Sequence, residues 1–545
     1  MVERSETNET GTAKPPAGAW SPLKNKVFRM LWIATLISNI GTWMHDVGAG
    51  WLMTSLSPSP VMVALIQTAT TLPIFLLAFP AGALSDIIDR RRYLIVVQIW
   101  MGLVAALLTV FAFTDAITIW SLVALTFAMG IGSAMMLPAW AAITPEVVPT
   151  RELQPAIALN SMGINVARAI GPAVGGLIIS FAGTGAVFAL NAVSFFCVFI
   201  VLLRWRREAP PSDLPAERFF GAMRAGFRFA IHASALQAAT IRGAGFVLFA
   251  SASWALLPLV AKNLVDGGPQ AFGILIASIG VGAVGGAVVL PKIRQKISRD
   301  AMVAYATILY AGAMWALATM NQLLALCVAM AISGIAWIAV LSSLQVAAQM
   351  ALPNWVRSRG LAFFMTVFMG SMALGSLLWG KVAELTSISQ SLTFAAIAAV
   401  VSIALTWRWK ISGIETVDLT PTMHWPTPNI YSEVTHDRGP VLVTIEYQVE
   451  PGKDGEFITA LQELGKHRRR DGAFFWCFFE NTEQQHHYIE TFYVESWLEH
   501  LRQHERVTDA DRVLQGSLLS LLVEETTPTV AHYVAPDKGL QRNKS

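Results

Sequence analysis

The chain has 545 residues, of which 54% are hydrophobic and only 14% charged, and its mean hydropathy is +0.52; soluble domains carry about 25% charged residues. That balance excludes an ordinary soluble enzyme and points to a polytopic membrane protein. The formal net charge of +3 is small, so the information lies in where the basic residues sit. Cys197, Cys327 and Cys477 are far apart; no spacing suggests a metal site or a disulfide framework, and they read as packing residues.

The first 26 residues are polar, contain Pro15, Pro16, Gly18 and Pro22, and lack the apolar stretch and cleavage site of a secretory signal. Residues 1–27 read as a disordered cytoplasmic tail. Apolar runs of about 20 residues, the length that crosses about 30 Å of hydrocarbon, then recur near 28–52, 61–84, 93–113, 117–140, 156–181 and 184–204. Residues 28–204 are thus expected to form a six-helix bundle. A basic cytoplasmic linker, 205–236, separates it from a second bundle over 237–409, with runs near 237–262, 271–291, 301–320, 322–350, 362–384 and 389–409. The expected fold is an all-α polytopic membrane protein of twelve transmembrane helices in two six-helix pseudo-repeats.

With the N-terminus inside, the inner loops carry Arg90, Arg91, Arg92, Arg151, Arg204, Arg206, Arg207, Lys292, Arg294, Lys296, Arg299, Arg357 and Arg359, while the outer loops offer little beyond Lys262 and Lys381. The positive-inside rule then puts both termini in the cytoplasm. An offset of 204 relates the halves: Gly82 maps to Gly286, Arg90 to Arg294, Gly130 to Gly334, Pro149 to Pro353, Gly171 to Gly375 and Gly176 to Gly380. Two parallel repeats with a substrate path between them follow from such symmetry. Asp86 maps to Leu290 and Arg168 to Met372, so ion coupling is assigned mainly to the first half.

The densest charge in the first 200 residues is Gly82-Ala-Leu-Ser-Asp-Ile-Ile-Asp-Arg-Arg-Arg92. With its Gly82, Leu84, Asp86, Asp89, Arg90 and Arg91, this stretch resembles the loop between helices 2 and 3 of the major facilitator superfamily. The resemblance implies a conformational latch, in which Asp86 meets the N-terminus of helix 11 near Gly360 in one state and releases it in another. Gly82 would allow a close helix approach, and Asp86 and Arg90 could pair across the cytoplasmic face. The plainer alternative is that Arg90 to Arg92 only set topology. In helix 5, Gly163, Arg168, Gly171, Pro172, Gly175 and Gly176 resemble the glycine-proline segment of antiporters of this superfamily. Small residues let helices approach and Pro172 removes a backbone donor, so a pliable seam is expected, with packing alone as the alternative. Thr126 stands where many proton-coupled members carry a helix 4 arginine, so their relay cannot be copied onto this chain.

Charges within spans are costly and seldom idle. Asp46 in helix 1 and Arg168 in helix 5 lie at similar counted distances from the starts of their helices, which predicts that they pair across a central cavity and that protonating Asp46 releases Arg168. His45 titrates near neutral pH when unperturbed and is an alternative proton carrier, or a packing group. Candidate substrate-lining residues are Asn39, Trp43, Met135, Asn165, Trp254, Trp337 and Met365, aromatic, methionine and carboxamide groups that suit a bulky amphipathic molecule.

Residues 410–440 contain Pro421, Pro426, Pro428 and Pro440 and read as a linker. A soluble α+β domain over 441–535 follows, with strands at 441–449, 473–480, 488–494 and 530–534 and helices at 452–467, 496–504 and 509–519; 536–545 form a tail. The order resembles the ferredoxin-like, dimeric α+β barrel domains of small monooxygenases, and similar tails occur in the exporter branch that includes the enterobactin exporter and the transmembrane secretion effectors. His467, Arg468, Arg469, Arg470, His486, His487, Trp497, His500 and His504 are polar and aromatic there, with no convincing metal spacing and no cofactor motif. Such a module could form a homodimer, regulate or catalyse.

The expected function is a secondary active transporter, a proton antiporter that exports drugs or siderophore-like metabolites across a bacterial inner membrane. Its expected partners are the small amphipathic substrate, protons and membrane lipid, with no nucleic acid, no metal, no cofactor and no catalytic residue. No nucleotide phosphate loop is present, which disfavours ATP-driven pumping. The alternative is a membrane-tethered enzyme or sensor whose C-terminal module carries the function.

Overall fold

The computed structural model describes residues 18–149, 152–205, 219–265, 267–353, 355–412, 422, 425, 435, 437–524 and 526–536. The expected tails thus lie mostly outside the described residues, as does most of the 410–440 linker. The first half consists of α1 (Lys26–Leu56), α2 (Pro60–Ile87), α3 (Arg90–Phe113), α4 (Ile119–Val147) and α5 (Leu153–Arg204). Alpha-5 is continuous over 52 residues, yet Gly183 has φ 78° and breaks it into two arms that meet the lengths expected of helices 5 and 6; a left-handed φ favours glycine. Helix α6 (Phe219–His232) follows, then α7 (Ser234–Leu259), α8 (Pro269–Arg294), α9 (Arg299–Thr319), α10 (Leu323–Met350), α11 (Arg357–Leu385) and α12 (Ile388–Thr406).

Among the described residues, ten helices are long and apolar enough to cross a membrane, the 52-residue α5 counting once. Large apolar side chains such as Val96, Leu103, Val110, Val193, Phe196 and Leu324 stay exposed on their outer faces, an arrangement suited to lipid rather than water. The protein is therefore a mostly helical polytopic membrane protein.

Positions related by the 204-residue offset make equivalent contacts. A Cβ at Gly171 would meet Trp43 and Ile40 of α1, and one at the related Gly375 would meet Ser251 and Leu248 of α7. Gly176 faces Pro269 and Gly273 of α8, while Gly380 faces Pro60 and Ala64 of α2. Gly130 and Gly334 stand against the carbonyls of Ala69 in α2 and Ile279 in α8. Each half thus packs on itself through two of these glycines and on the other half through the third. Thr68 Oγ1 adds a cross-half hydrogen bond to the Ala373 carbonyl at 3.2 Å, and Ser59 Oγ donates to Glu384 at 2.8 Å. These contacts run from the end bearing the 57–59 and 267–268 loops to mid-height, so the two halves are closed together at that far end.

The opposite end carries a small α+β module: β1 (Val441–Gln448), α13 (Asp454–Asp471), β2 (Phe475–Glu480), β3 (His487–Val494), α14 (Trp497–Arg506), α15 (Asp509–Leu519) and β4 (Thr529–Val534). The sheet is antiparallel with order β2-β3-β1-β4. Val441, Val443, Ile445 and Tyr447 of β1 point to the helix-covered side and form a core with Phe457, Leu461, Phe492 and Trp497. Part of the region expected to be a plain linker over 205–236 is the helix α6, and the reason is its docking. Phe229 is buried and meets Trp355 edge-on at 5.6 Å, Arg470 of α13 lies over the Phe229 ring, and Arg224 and Arg228 reach Glu495 and Glu499 of the module at 2.7 and 3.9 Å.

Candidate functional site

A cavity of about 510 Å³ opens in the half of the first bundle nearest the α+β module, between α1, α3, α4 and the two arms of α5. Trp32, Met136, Leu137, Trp140 and Ile164 give it apolar walls, and Thr35, Ser38, Asn39, Gln98, Thr144 and Asn160 give it polar points. Trp32 Nε1 donates to the Leu159 carbonyl at 3.0 Å, and Asn160 Nδ2 to Thr144 Oγ1 at 3.1 Å, so both are held in place. Gln98 is buried and its Nε2 leans on Met136 Sδ at 3.4 Å, while its Oε1 has no hydrogen-bond partner. An apolar box with a few fixed polar groups and one unsatisfied acceptor is suited to an amphipathic guest.

The expected pairing of Asp46 with Arg168 is not found. Close contacts set the register between the two helices: Gly163 is level with Trp32 and Leu36, Gly171 with Ile40 and Trp43, and Gly175 with Met44. Arg168 therefore stands level with residues near 38, and Asp46 lies about 12 Å further along the axis at 1.5 Å per residue. Counting predicted similar heights because the starts read from the sequence, near Met30 and Pro155, are not level: by the same register Pro155 stands beside about residue 26 of α1. Arg168 sits instead over the Trp43 ring, 5.5 Å from its centroid, one turn beyond the cavity wall at Ile164, and its Nε is buried without a partner. Asp46 has no hydrogen-bond or ion-pair partner among the described residues. It shares a stripe of α1 with Trp43 and Gly50, which face Trp254, Phe272 and Pro258 of the second half. His45 points elsewhere, buried against Phe188 with ring centroids 4.8 Å apart and both nitrogens unpartnered.

Three of the candidate lining residues are brought together, though not in the cavity. Trp43 meets Trp254 at 6.4 Å and Trp254 meets Trp337 at 5.5 Å, an aromatic chain that passes from the first half to the second and continues to Phe368. Asn39 does line the cavity. Asn165 donates to the Ser161 carbonyl within its own helix at 2.9 Å. Met135 packs into the first bundle's core and Met365 against the large core of the second; the methionine in the cavity wall is Met136, one position on.

In the latch segment, Asp86 belongs to α2 but its side chain lies outside those described. Asp89 caps α3 by accepting from the Arg92 backbone at 2.9 Å. Arg90 donates to Glu146 of α4 at 2.6 Å, and Arg91 donates to the carbonyls of Leu202 and Leu203 at the end of α5. A Cβ at Gly82 would meet nothing within 4 Å, so the close helix approach expected there is absent in this conformation. Of the helix-5 seam, Gly171 and Gly175 pack on α1, and Pro172 and Gly176 pack on Gly273 of α8.

Residues 17–539 match the family described as "Transmembrane secretion effector". The chain belongs to this family of major facilitator transporters. Among similar proteins of known name are the staphyloferrin A transporter of Staphylococcus aureus, 26% identical over 47% of this chain and 65% of that protein, and the enterobactin exporter of Escherichia coli, 25% identical over 50% of this chain and 64% of that protein. The chain thus spans just under two thirds of each of these relatives. The fold resembles a bacterial homologue of the human lysosomal transporter Spinster in an inward-facing, unoccupied conformation (TM-score 0.55, 15% identity, 72% of this chain and 96% of that one). A POT family transporter is similar in the same way (TM-score 0.59, 13% identity, 70% and 96%).

Two arrangements in this secretion-effector chain escaped the reading of its sequence. Arg242 of α7 and Asp300 of α9 form a buried ion pair at 2.6 Å, and the Asp300 carboxylate also accepts from the backbones of Ile411 and Ser412 at 3.1 Å each. The pair anchors the chain where it leaves the membrane bundle. In the α+β module, His500, His504 and His532 converge, with His500 and His504 Nε2 atoms 3.3 Å apart. Burial, then the neighbouring His532 and His504, pushes the His500 imidazole down to about 3; burial and His532 push His504 down to about 4. The i, i+4 spacing of His500 and His504 was the available signal, but the third member comes from a distant strand.

Proposed function

We propose that this chain is a secondary active exporter of amphipathic, siderophore-like small molecules, driven by proton antiport through alternating access. The observation that carries the reading is the cavity itself: tryptophan and methionine walls, fixed carboxamides and hydroxyls, and the Arg168 guanidinium one turn above it. An unpartnered cation on an aromatic face suits a guest with an apolar body and an anionic or acceptor group. The named relatives, a staphyloferrin A transporter and an enterobactin exporter, support that class of substrate.

The closed far end and the cavity on the module side describe a state that loads from the module side. Helix α1 and the two arms of α5 bring the spans to twelve, in two bundles. We assign the module side to the cytoplasm of a bacterial cell and the bundle to its inner membrane, which agrees with the basic residues at that end. Asp46, facing the second half without a partner, is our candidate proton carrier; its role does not require contact with Arg168. The module's strand order is that of a ferredoxin-like sheet, and its outer face presents Leu442, Phe475, Tyr493 and Tyr533 in one row of the ladder, with Phe475 and Tyr533 exposed. A second copy of the module would cover that row, so we assign the module to dimerisation.

The test is uptake into inside-out vesicles under an imposed pH gradient, with a siderophore or lipophilic dye as cargo. Gradient-driven uptake by the wild type, abolished in Asp46→Asn with the protein still folded, is the expected result. Uptake unchanged in Asp46→Asn removes Asp46 from the coupling, and a wild type that ignores the gradient refutes antiport.

A further inference from the structure

Helix α14 begins at a Ser496 cap, whose Oγ accepts from the Glu499 backbone at 3.3 Å, and so holds His500 and His504 one turn apart on a single face. Among the described residues strand β4 is an edge strand paired with β1 alone, and His532 stands opposite Val443. Directly opposed residues share a face of the sheet, so His532 projects with Val443 toward the helices. The result is three imidazoles in one place. The ring centroids of His500 lie 4.9 Å from His504 and 4.7 Å from His532, and one nitrogen from each of the three falls within 4.8 Å of the others.

Packing alone gives no reason for this. His500 is 1% exposed, and its Nδ1 lacks a hydrogen bond. Buried polar atoms are ordinarily paired. The Nε2 to Nε2 separation of 3.3 Å for His500 and His504 is also the separation of two nitrogens bound to one tetrahedral ion, since bonds of about 2.0–2.1 Å at a tetrahedral angle put the donors roughly 3.3 Å apart. Gln503 lies beside His500, buried, with both its polar atoms outside hydrogen-bond geometry; a rotation of its amide would let Oε1 accept from His500 Nδ1–H, the outer contact that metal-bound histidines usually make.

We propose that His500, His504 and His532 form a three-imidazole site for a late first-row divalent transition-metal ion such as Zn²⁺, with a fourth position open to water. His504 and His532 are only half-buried, which leaves that position a path to solvent. Neutral nitrogen donors select this class over Ca²⁺ and Mg²⁺, which require oxygen. The nearby cation, Arg468, is already balanced by Glu490, with Nε 3.2 Å from the carboxylate. An ion here would join β4 to α14, the helix whose Glu499, with Glu495 just before it, holds Arg224 and Arg228 of α6. Occupancy would therefore stiffen the dock between module and bundle.

The experiment uses the full chain in detergent, prepared without a polyhistidine tag and stripped with a chelator. Zn²⁺ is titrated by calorimetry, and Co²⁺ by visible absorption, which reports tetrahedral nitrogen coordination. We expect one equivalent per chain, undiminished by excess Mg²⁺. His504→Ala and His532→Ala should each weaken it on the order of 100-fold or more, because loss of a mere outer-shell partner already costs about 10–100-fold. His486→Ala should leave it unchanged. His532 lies on an edge strand, so its variant reports even where a helix variant fails to fold; circular dichroism separates the two cases. No saturable uptake by the wild type, or uptake unchanged in folded His532→Ala, overturns the site.

Discussion

Gly176→Ala tests whether the far-end closure belongs to one state of an alternating cycle. The added methyl would stand 2.5 Å from the Pro269 carbonyl oxygen and 3.2 Å from Gly273 Cα. Both are backbone, and ordinary contact begins at 3.4 Å, so α8 must recede from α5 by about 0.9 Å, the difference between 3.4 and 2.5 Å. Forced expansion of a packed seam costs about 1–3 kcal/mol. If the seam exists in this state alone, the whole cost falls on its population. At about 1.4 kcal/mol per factor of ten, a cost near 2 kcal/mol shifts the equilibrium roughly 30-fold toward the state open at the far end. The assay is the rate of maleimide labelling at Ala271→Cys, a buried far-end position, in a background with Cys197, Cys327 and Cys477 replaced by alanine. A labelling rate raised by about that factor, with little change in melting temperature, is the expected result. Unchanged labelling with a lowered melting temperature would refute the reasoning, because it would mean that α5 and α8 stay together throughout the cycle. Gly312→Ala in α9, outside the latch and the seam, where a methyl meets nothing within 4 Å, is the control and should change neither.

Asp300→Ala leaves Arg242 buried without its partner, and losing one member of such a pair costs about 3–5 kcal/mol; the melting temperature in detergent should fall, and Arg242→Met combined with Asp300→Ala should recover part of the loss. Burial pushes the Asp511 carboxyl up, but the bond from His467 and the charge of Arg470 outweigh it and hold the carboxyl well below the usual range. Its ionised form therefore stabilises the module above about pH 4, the unfolded value, and that contribution is lost as pH falls through the lower folded value. Asp511→Asn should accordingly destabilise the protein at pH 7, with the gap from wild type narrowing below about pH 4; a gap that stays constant down to acid unfolding contradicts this. Phe475→Glu on the open face of the sheet should convert a dimer to a monomer in light scattering, with no loss of melting temperature, and dimers that persist place the contact elsewhere.

Much of the architecture was legible because it rests on local signals. Run length located the helices, and the 204-residue offset predicted which glycines would play matching parts, as Gly176 and Gly380 do against opposite halves. The alternation of residues 441–449 likewise revealed β1. Quantities that depend on how two elements slide past each other were not legible. Asp46 and Arg168 looked level when counted from their helix starts, yet the contacts of Gly163, Gly171 and Gly175 with α1 displace them by about 12 Å at 1.5 Å per residue. The same limit hid the aromatic chain of Trp43, Trp254 and Trp337, whose members stand on three helices, and the pairing of Arg242 with Asp300 across 58 residues.

The histidines show where that boundary lies. His500 and His504 could be read as one face of a helix, but a two-histidine face is common and carries little chemistry by itself. What gives the pair significance is His532, and its position is set by the ladder that puts it opposite Val443. A one-residue slip of β4 would turn His532 to the open face, where Ala531 and Tyr533 now point, and the cluster would dissolve. The histidine cluster thus resides in strand register rather than in composition, and exchanging two neighbours on opposite faces of β4, Ala531→His with His532→Ala, should abolish metal uptake while leaving the composition unchanged.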